Sequence, residues 1–503
     1  MQLMIVTLVA LVFFCGLMVW IGIYTRRHSS TIDGFLMGNR NIGAWMSAFA
    51  YGTAYFSAVI FIGYAGKNGW DIGMASIWIG IGNAVIGCLL AWLLLARRTR
   101  AMTRSLDVKT MPEFFEGRYG VKGMKLYSAL IIFIFLVPYS SAVYKGLGSM
   151  FTTIFPGVSV NVCMLIVAVI TAVFLVLGGY VAAVYTDFAQ GVIMIAGTLT
   201  MILFLTYNQT VGGFSAALDK LASLDSGLVD VFGGGNWRFL LLNILLTSFG
   251  TWGLPQMVSK FYAVRDNAAI KKATIVSTCF ALLIGFGAYY TGSLGRLYLD
   301  NTLPANYDYV VPATLVAAFG STGIFANIVL AVIMVLLLSA SMSTLSSIVL
   351  TSSSAISVDL APFVIKDYTK ERQMLLTRLL CLLFVALSYL FATLQIAIIV
   401  SIMSFSWGVV SGSFIGPYVL GLYSKRITKY GAWAGMLGGL LIVAAFTVYK
   451  TALAGFDAAI ADAPLYGVLA MAASFVLTYG VSLVTPPLNK QIIEKAFLIK
   501  EKA

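Results

Sequence analysis

Charge and histidine are scarce in this chain. Lys, Arg, Asp and Glu make up 10% of its 503 residues, and there is one histidine, His28. A water-soluble protein of this size needs far more polar surface than that. His28 sits beside Arg26 and Arg27 in what reads as a loop. Neither HExxH nor GxSxG occurs, so a hydrolase built on zinc or on a nucleophile–histidine pair has no constellation to use. Cysteine occurs five times (Cys15, Cys88, Cys163, Cys279 and Cys381), always inside apolar runs and without paired spacing. These thiols read as small hydrophobes, which speaks against both a disulfide framework and a zinc site.

What is abundant is apolar sequence: 60% of residues are hydrophobic and the mean hydropathy is +0.94. A bilayer core roughly 30 Å thick takes about 20 apolar residues per crossing helix. The chain divides into thirteen such segments, near 3–24, 44–66, 72–96, 126–150, 159–179, 187–207, 237–258, 273–295, 322–350, 376–395, 398–422, 431–449 and 464–485. The expectation is an all-α polytopic membrane protein. The first run ends in Tyr24-Thr25-Arg26-Arg27 without a small-residue cleavage site, so it reads as a helix that stays.

The net charge of +13 is explained by where the basic residues fall. Of 32 lysines and arginines, 26 lie in alternate loops and the tail, including residues 97–125 and 260–272. That asymmetry predicts an outside N-terminus, a cytoplasmic C-terminus and a basic face toward anionic lipid, with no need for a nucleic-acid partner. Lys145, near the outer end of its segment, reads as a snorkelling side chain. No Lys or Arg is expected near mid-membrane.

Three features break the apolar pattern. Gly52, Thr53, Ala54 and Ser57 dilute the second segment. In the seventh, Gly250, Gly253 and Pro255 fall close together, predicting a break near 251–254, because proline removes a backbone donor and clashes with the preceding turn. These segments lie five apart, as discontinuous helices do in the two halves of an inverted repeat. Their broken ends offer free amides to a carboxylate. The third feature is residues 331–360, with ten Ser/Thr between 339 and 354. Ala340, Ser343, Thr344 and Ser347 share one helical face, which suits a hard cation seeking oxygen ligands. The alternative is that these hydroxyls bond back to the i−4 carbonyl or allow close helix packing. Asp187, opening the sixth segment, reads either as a helix N-cap or as a cation ligand.

The stretch GLYSKRITKYGAWAGMLGGLL (421–441) resembles the signature of the sodium:solute symporter family, with Arg426, Gly431, Ala432, Gly435, Gly438 and Gly439 filling its pattern. DGFLMGNR (33–40), TMPEFFEGRYG (110–120), GGYVAAVYTDFAQG (178–191) and SASMSTLSS (339–347) support the resemblance along most of the chain. It implies an inverted five-plus-five, LeuT-like core with two discontinuous helices in one transmembrane domain. The divisions are a leading helix and loop (1–43), repeats at 44–207 and 237–422, and two trailing helices with a short tail (423–503). It also implies Na⁺ as coupling ion, bound by backbone carbonyls of Thr53, Phe56 and Ala340 and hydroxyls of Ser343 and Thr344. A second sodium site would use Asp187 with Ser343, Ser346 and Ser347.

The implied activity is import of a small organic solute by alternating access, in the cell membrane; a monomer can suffice. Similarity at TAYFSAVIFIG (53–63) and FGTWGLPQ (249–256) suggests pantothenate- or monocarboxylate-type members. Tyr55 stands where sodium–proline symporters have an aspartate, and Thr247 and Thr251 where they have aromatics. The alternatives are a proline or other amino-acid symporter and, from other classes, a proton-coupled permease or an ion channel. Candidate solute contacts are Tyr55, Ser57, Trp78, Thr251, Trp252, Phe405 and Trp407, though interfacial aromatics would look the same. A transporter-like sensor would carry a long signalling domain, whereas about 18 residues follow the last segment.

Overall fold

A computed structural model describes residues 2–25, 31–155, 157–320 and 323–498. His28, Arg26, Arg27 and the last five residues of the tail lie outside the described residues. Among the described residues, ten helices are long and apolar enough to cross a membrane, and long helices account for nearly all of the bundle. They are α1 (Gln2–Thr25), α2 (Ala44–Tyr55, continued over 59–72), α3 (77–106), α4 (Lys122–Ile154), α5 (160–178), α6 (180–206), α7 (Trp237–Gly253, continued as Pro255–Ala263), α8 (Asn267–Ser293), α9 (Ile324–Ser354, continued to Val364), α10 (Lys370–Thr393), α11 (Ile399–Tyr423), α12 (Lys429–Ala454) and α13 (Ala463–Val484).

Both expected breaks occur, and they share a conformation. Phe56 ends the first half of α2 with φ −97° and ψ 100°, and Leu254 divides α7 with φ −83° and ψ 120°. At Leu254 the cause is Pro255, which starts the second half where its missing N–H costs nothing. At Phe56 there is no proline. The chain leaves the helix at Phe56 and Ser57 and resumes at Ala58, widening into a π-type stretch over Val59–Tyr64. Tertiary contacts, including a bond from the Ala58 amide to Ser341 Oγ at 3.3 Å, hold this second break open.

One boundary departs from expectation. The chain turns between α5 and α6 at Gly179 (φ 55°, ψ −145°), a conformation open in practice to glycine alone. A Cβ there would also strike the Phe35 ring. Helix α6 therefore starts at Tyr180, and Asp187 lies about two turns inside it, fully buried. The N-cap alternative for Asp187 is excluded by this geometry.

The glycines at 431–439 have a packing role. A methyl at Gly431 or Gly435 would collide with Ser482 or Thr478 of α13, and one at Gly439 with the backbone of Gly412 in α11. Arg426 donates to the carbonyls of Leu483 and Thr485 at 2.8 and 3.1 Å, closing the end of α13. The most family-specific stretch in the sequence thus fastens α12 and α13 onto α11.

Candidate functional site

Helix α9 runs through the middle of the bundle, buried throughout residues 336–350. Its hydroxyls divide between the two roles open to them. Ser346 and Ser354 bond back to carbonyls three residues earlier, as isolated membrane hydroxyls do, and Ser341 donates to the Leu337 carbonyl while accepting from the Ala58 amide of α2. Ser343, Thr344 and Ser347 reach other helices. Ser343 Oγ donates to Thr53 Oγ1 at 2.7 Å, and Thr344 Oγ1 meets the Ala54 carbonyl at 3.1 Å and that of Ala340 at 3.2 Å. The last turn of α2 before its break and the middle of α9 are thereby joined through oxygen atoms alone. All of these residues are buried, and an all-oxygen donor set is the chemistry a hard cation requires. The carbonyl in contact with Thr344 belongs to Ala54; Phe56 lies two residues beyond it, at the break, with its ring against Tyr55 and Phe280.

The second oxygen set has a different centre. Lys260, in the half-helix after the α7 break, is 2% exposed; its Nζ donates to Ser347 Oγ at 2.9 Å and stands 3.6 Å from Asp187 Oδ2. The Tyr180 ring covers it at 5.3 Å. Charge counting assigned Lys260 to a loop, whereas the helix resumes at Pro255 and carries it inward as far as Ala263. A cavity of about 40 Å³ reaches this group, bordered by Lys260, Ser347, Tyr180, Pro255 and Thr351.

Between the two breaks lies an aromatic cluster. Tyr55 stacks on Trp407 with ring centroids 6.5 Å apart, and Tyr139 meets Trp407 edge-on at 5.7 Å. Tyr55 donates to the Thr247 carbonyl at 2.6 Å. Thr251 contacts the Gly87 carbonyl at 3.4 Å, and Trp252 Nε1 donates to that of Ile86 at 3.0 Å, so both fasten α7 to α3. Ser57 is buried at the α2 break. Phe405 packs half-buried against Phe135. Trp78 is a correction: at 45% exposed it faces out of the bundle, where a membrane-belt role fits and an inner pocket does not.

Sequence reasoning missed several polar groups here. Gln256, directly after Pro255, is buried with both side-chain polar atoms unbonded, as are Trp407 Nε1 and Asn83 Nδ2. Buried polar atoms without partners are costly, which marks them as candidates for solute contact. An amide following the break proline, and another inside the apolar run of α3, were the available signals.

Ion pairs also join helices at both ends. At the end opposite the basic loops, Lys145 of α4 pairs with the buried Asp308 at 3.1 Å and donates to the Ala397 carbonyl at 2.5 Å. Asp308 in turn accepts from the Ile399 amide that opens α11. Lys145 is therefore a cross-link, correcting its reading as a snorkelling side chain. At the basic end, Lys125 lies 3.5–3.6 Å from Glu113, Glu116 and the buried Asp359.

A bundle of membrane-length helices, two broken at mid-course and both bonded to the buried hydroxyls of a third, defines a secondary transporter of the broken-helix class. More narrowly, the chain belongs to the sodium:solute symporter family, whose model matches residues 35–439. Sodium is accordingly its coupling ion. It is 28% identical to the high-affinity proline transporter PutP of Bacillus subtilis over 95% of this chain and 98% of that protein. It is 27% identical to the sodium/pantothenate symporter of Haemophilus influenzae over 82% and 84% of the two chains. Among solved structures, a substrate-bound, outward-open Na⁺-coupled sialic acid symporter superposes with a TM-score of 0.78 at 18% identity, covering 96% of this chain and 99% of that one. The nucleobase-cation symporter Mhp1 in a closed conformation gives 0.53 at 15% identity, covering 92% and 97%. These likenesses establish the LeuT-like fold.

Proposed function

We propose that this protein imports a small amino-acid or carboxylate solute together with Na⁺ by alternating access. One sodium would bind where α2 breaks against α9. The observation that carries this reading is the pair of contacts from Ser343 to Thr53 and from Thr344 to Ala54. Thr53, Ala340, Ser343 and Thr344 would supply oxygens, with the Ala54 carbonyl adjoining and the Phe56 carbonyl at the break. Sodium drawn in there would pull the broken segment of α2 onto α9 and complete the solute pocket beside Tyr55, Ser57, Gln256 and Trp407. Coupling is then reciprocal: solute raises sodium affinity by the factor by which sodium raises solute affinity. Each imported charge contributes about 2.3 kcal/mol per 100 mV of membrane potential.

The matched extended breaks at Phe56 and Leu254, five helices apart, support inverted repeats over 44–207 and 237–422, with thirteen crossings in total. The basic-loop asymmetry supports a cytoplasmic C-terminus and an outside N-terminus. For the solute, the pantothenate and monocarboxylate reading gives way to proline as the first compound to test. PutP and the osmoregulated proline transporter OpuE of B. subtilis, 26% identical, carry proline in their names, as do further relatives. A thermal-shift screen of proline, other small amino acids, pantothenate and short monocarboxylates, each in Na⁺ and in choline, tests the reading. The expected hit stabilises the protein in Na⁺ only. Equal stabilisation in choline would favour a proton-coupled permease.

A further inference from the structure

The resemblance implies a second sodium at Asp187, Ser343, Ser346 and Ser347, yet the residues around Asp187 do not fit one. We propose that Lys260 is a tethered cation that permanently fills this acidic position, so that the chain carries one sodium per cycle. The inference rests on the sodium site proposed between α2 and α9, and concerns what stands one helical turn further along the same hydroxyl face.

The ammonium of Lys260 has one hydrogen-bond acceptor, one counter-ion and one aromatic face around it. Ser347 accepts one of its protons at 2.9 Å, the Asp187 carboxylate balances its charge at 3.6 Å, and the Tyr180 ring offers its negative face. Lys260 and Asp187 are 2% exposed and fully buried. One carboxylate thus faces one ammonium, and the pair is neutral. A sodium added to the same set would share a single negative charge with a like charge a few ångströms away, in a setting that water screens poorly. Ser347 would also have to give up its contact with the lysine. The set around Thr344 has no such competitor, since each of its contacts there is an oxygen. The two overlapping oxygen sets on α9 are therefore unequal. One is open to an exchangeable ion, and the other is held by a charge that the covalent chain supplies.

This arrangement also gives Lys260 a mechanical role. It sits on the half-helix that follows the α7 break, so its pair with Asp187 ties α7 to α6, and its bond to Ser347 ties both to α9. A mobile second ion would make that tie conditional on sodium. A lysine makes it a built-in property of the fold.

Equilibrium binding of ²²Na⁺ to purified protein, calibrated against choline, tests the proposal. The expected result is one sodium per wild-type chain, rising to two in Lys260→Met, where the Asp187 carboxylate loses its partner. Lys260→Met combined with Asp187→Asn should return to one. The melting temperature of Lys260→Met should depend on sodium more strongly than that of the wild type. Lys260→Gln serves as the second variant should the methionine form fail to fold, and Asp187→Asn alone should leave the wild-type count at one. Two sodium ions in the wild type, a sodium lost on Asp187→Asn, or a count still at one in a folded Lys260→Met or Lys260→Gln would each overturn it. Thr344→Ala isolates the underlying reading, because Thr344 belongs only to the first set. If that change spares wild-type binding, the fault lies in the α2–α9 site and not in the role of Lys260.

Discussion

Replacing Asp308 by Asn isolates the charge in the cross-link at the end away from the basic loops. The side chains of Asp308 and Lys145 are 1% and 11% exposed. The amide keeps an acceptor for the Ile399 N–H, now bonded at 3.1 Å, but leaves Lys145 with the Ala397 carbonyl as its remaining partner. Breaking a buried ion pair by removing one charge costs about 3–5 kcal/mol. The carbonyl bond and the residual exposure of Lys145 put this case near the low end, about 3 kcal/mol, or roughly 100-fold in an equilibrium constant. The start of α11 rests on α2 at Gly63, where a Cβ would strike Ile399. Loosening the link should therefore part α11 from α2. Ser404, buried on α11 and sharing a 2.7 Å hydrogen bond with Tyr64 of α2, reports on that seam. In a Ser404→Cys background, Asp308→Asn should raise the rate of alkylation by a membrane-impermeant maleimide by up to about 100-fold, and Lys145→Met should do the same. Rates within twofold of the parent would refute the argument that this pair holds the end closed.

Three further outcomes are expected. Gly179→Ala should cost about 1–3 kcal/mol for its glycine-only backbone, more once Phe35 is displaced, and lower the thermal unfolding temperature of the purified protein. Gly250→Ala would press a methyl to 2.8 Å from the Trp407 ring; overpacking of about 1–3 kcal/mol should raise the solute KM tenfold or more in uptake assays while ²²Na⁺ binding persists. Asp266 caps α8 by accepting from the Ala269 amide at 2.7 Å, and that bond, helped by Arg265, holds its carboxyl below the usual range. Asp266→Ala should therefore cost about 1 kcal/mol above roughly pH 4, the unfolded-state value. In a denaturation series the stability curves of variant and parent should converge as the pH falls through the lower folded-state value.

What the sequence disclosed follows from how local each cause is. Pro255 forces the α7 break by its own chemistry, and the crowding of hydroxyls on α9 is visible wherever that helix sits. The turn at Gly179 was hidden because two glycines in an apolar run do not announce which will adopt a positive φ. An aspartate nearby made a more persuasive helix start. Lys260 was hidden by a counting rule that places basic residues in loops. The rule fails when a helix restarts after a proline and carries the lysine back into the bundle. Asp308 and Lys145 come from distant parts of the chain, and only the packed helices bring them together. Trp78 had the right residue type but the wrong helix face, which a window of mixed apolar residues does not distinguish.

The central claim is that sodium at the α2–α9 contact drives solute uptake. Proteoliposomes preloaded with choline and diluted into Na⁺ or choline, with radiolabelled proline or the solute found by the thermal-shift screen, test it most directly. The account predicts accumulation in Na⁺, none in choline, and a rise of tenfold or more in half-saturating Na⁺ for Thr344→Ala, in proportion to a lost cation contact of about 1.4 kcal/mol. Accumulation that is equal in choline, or a half-saturating Na⁺ concentration unmoved by Thr344→Ala, would contradict it.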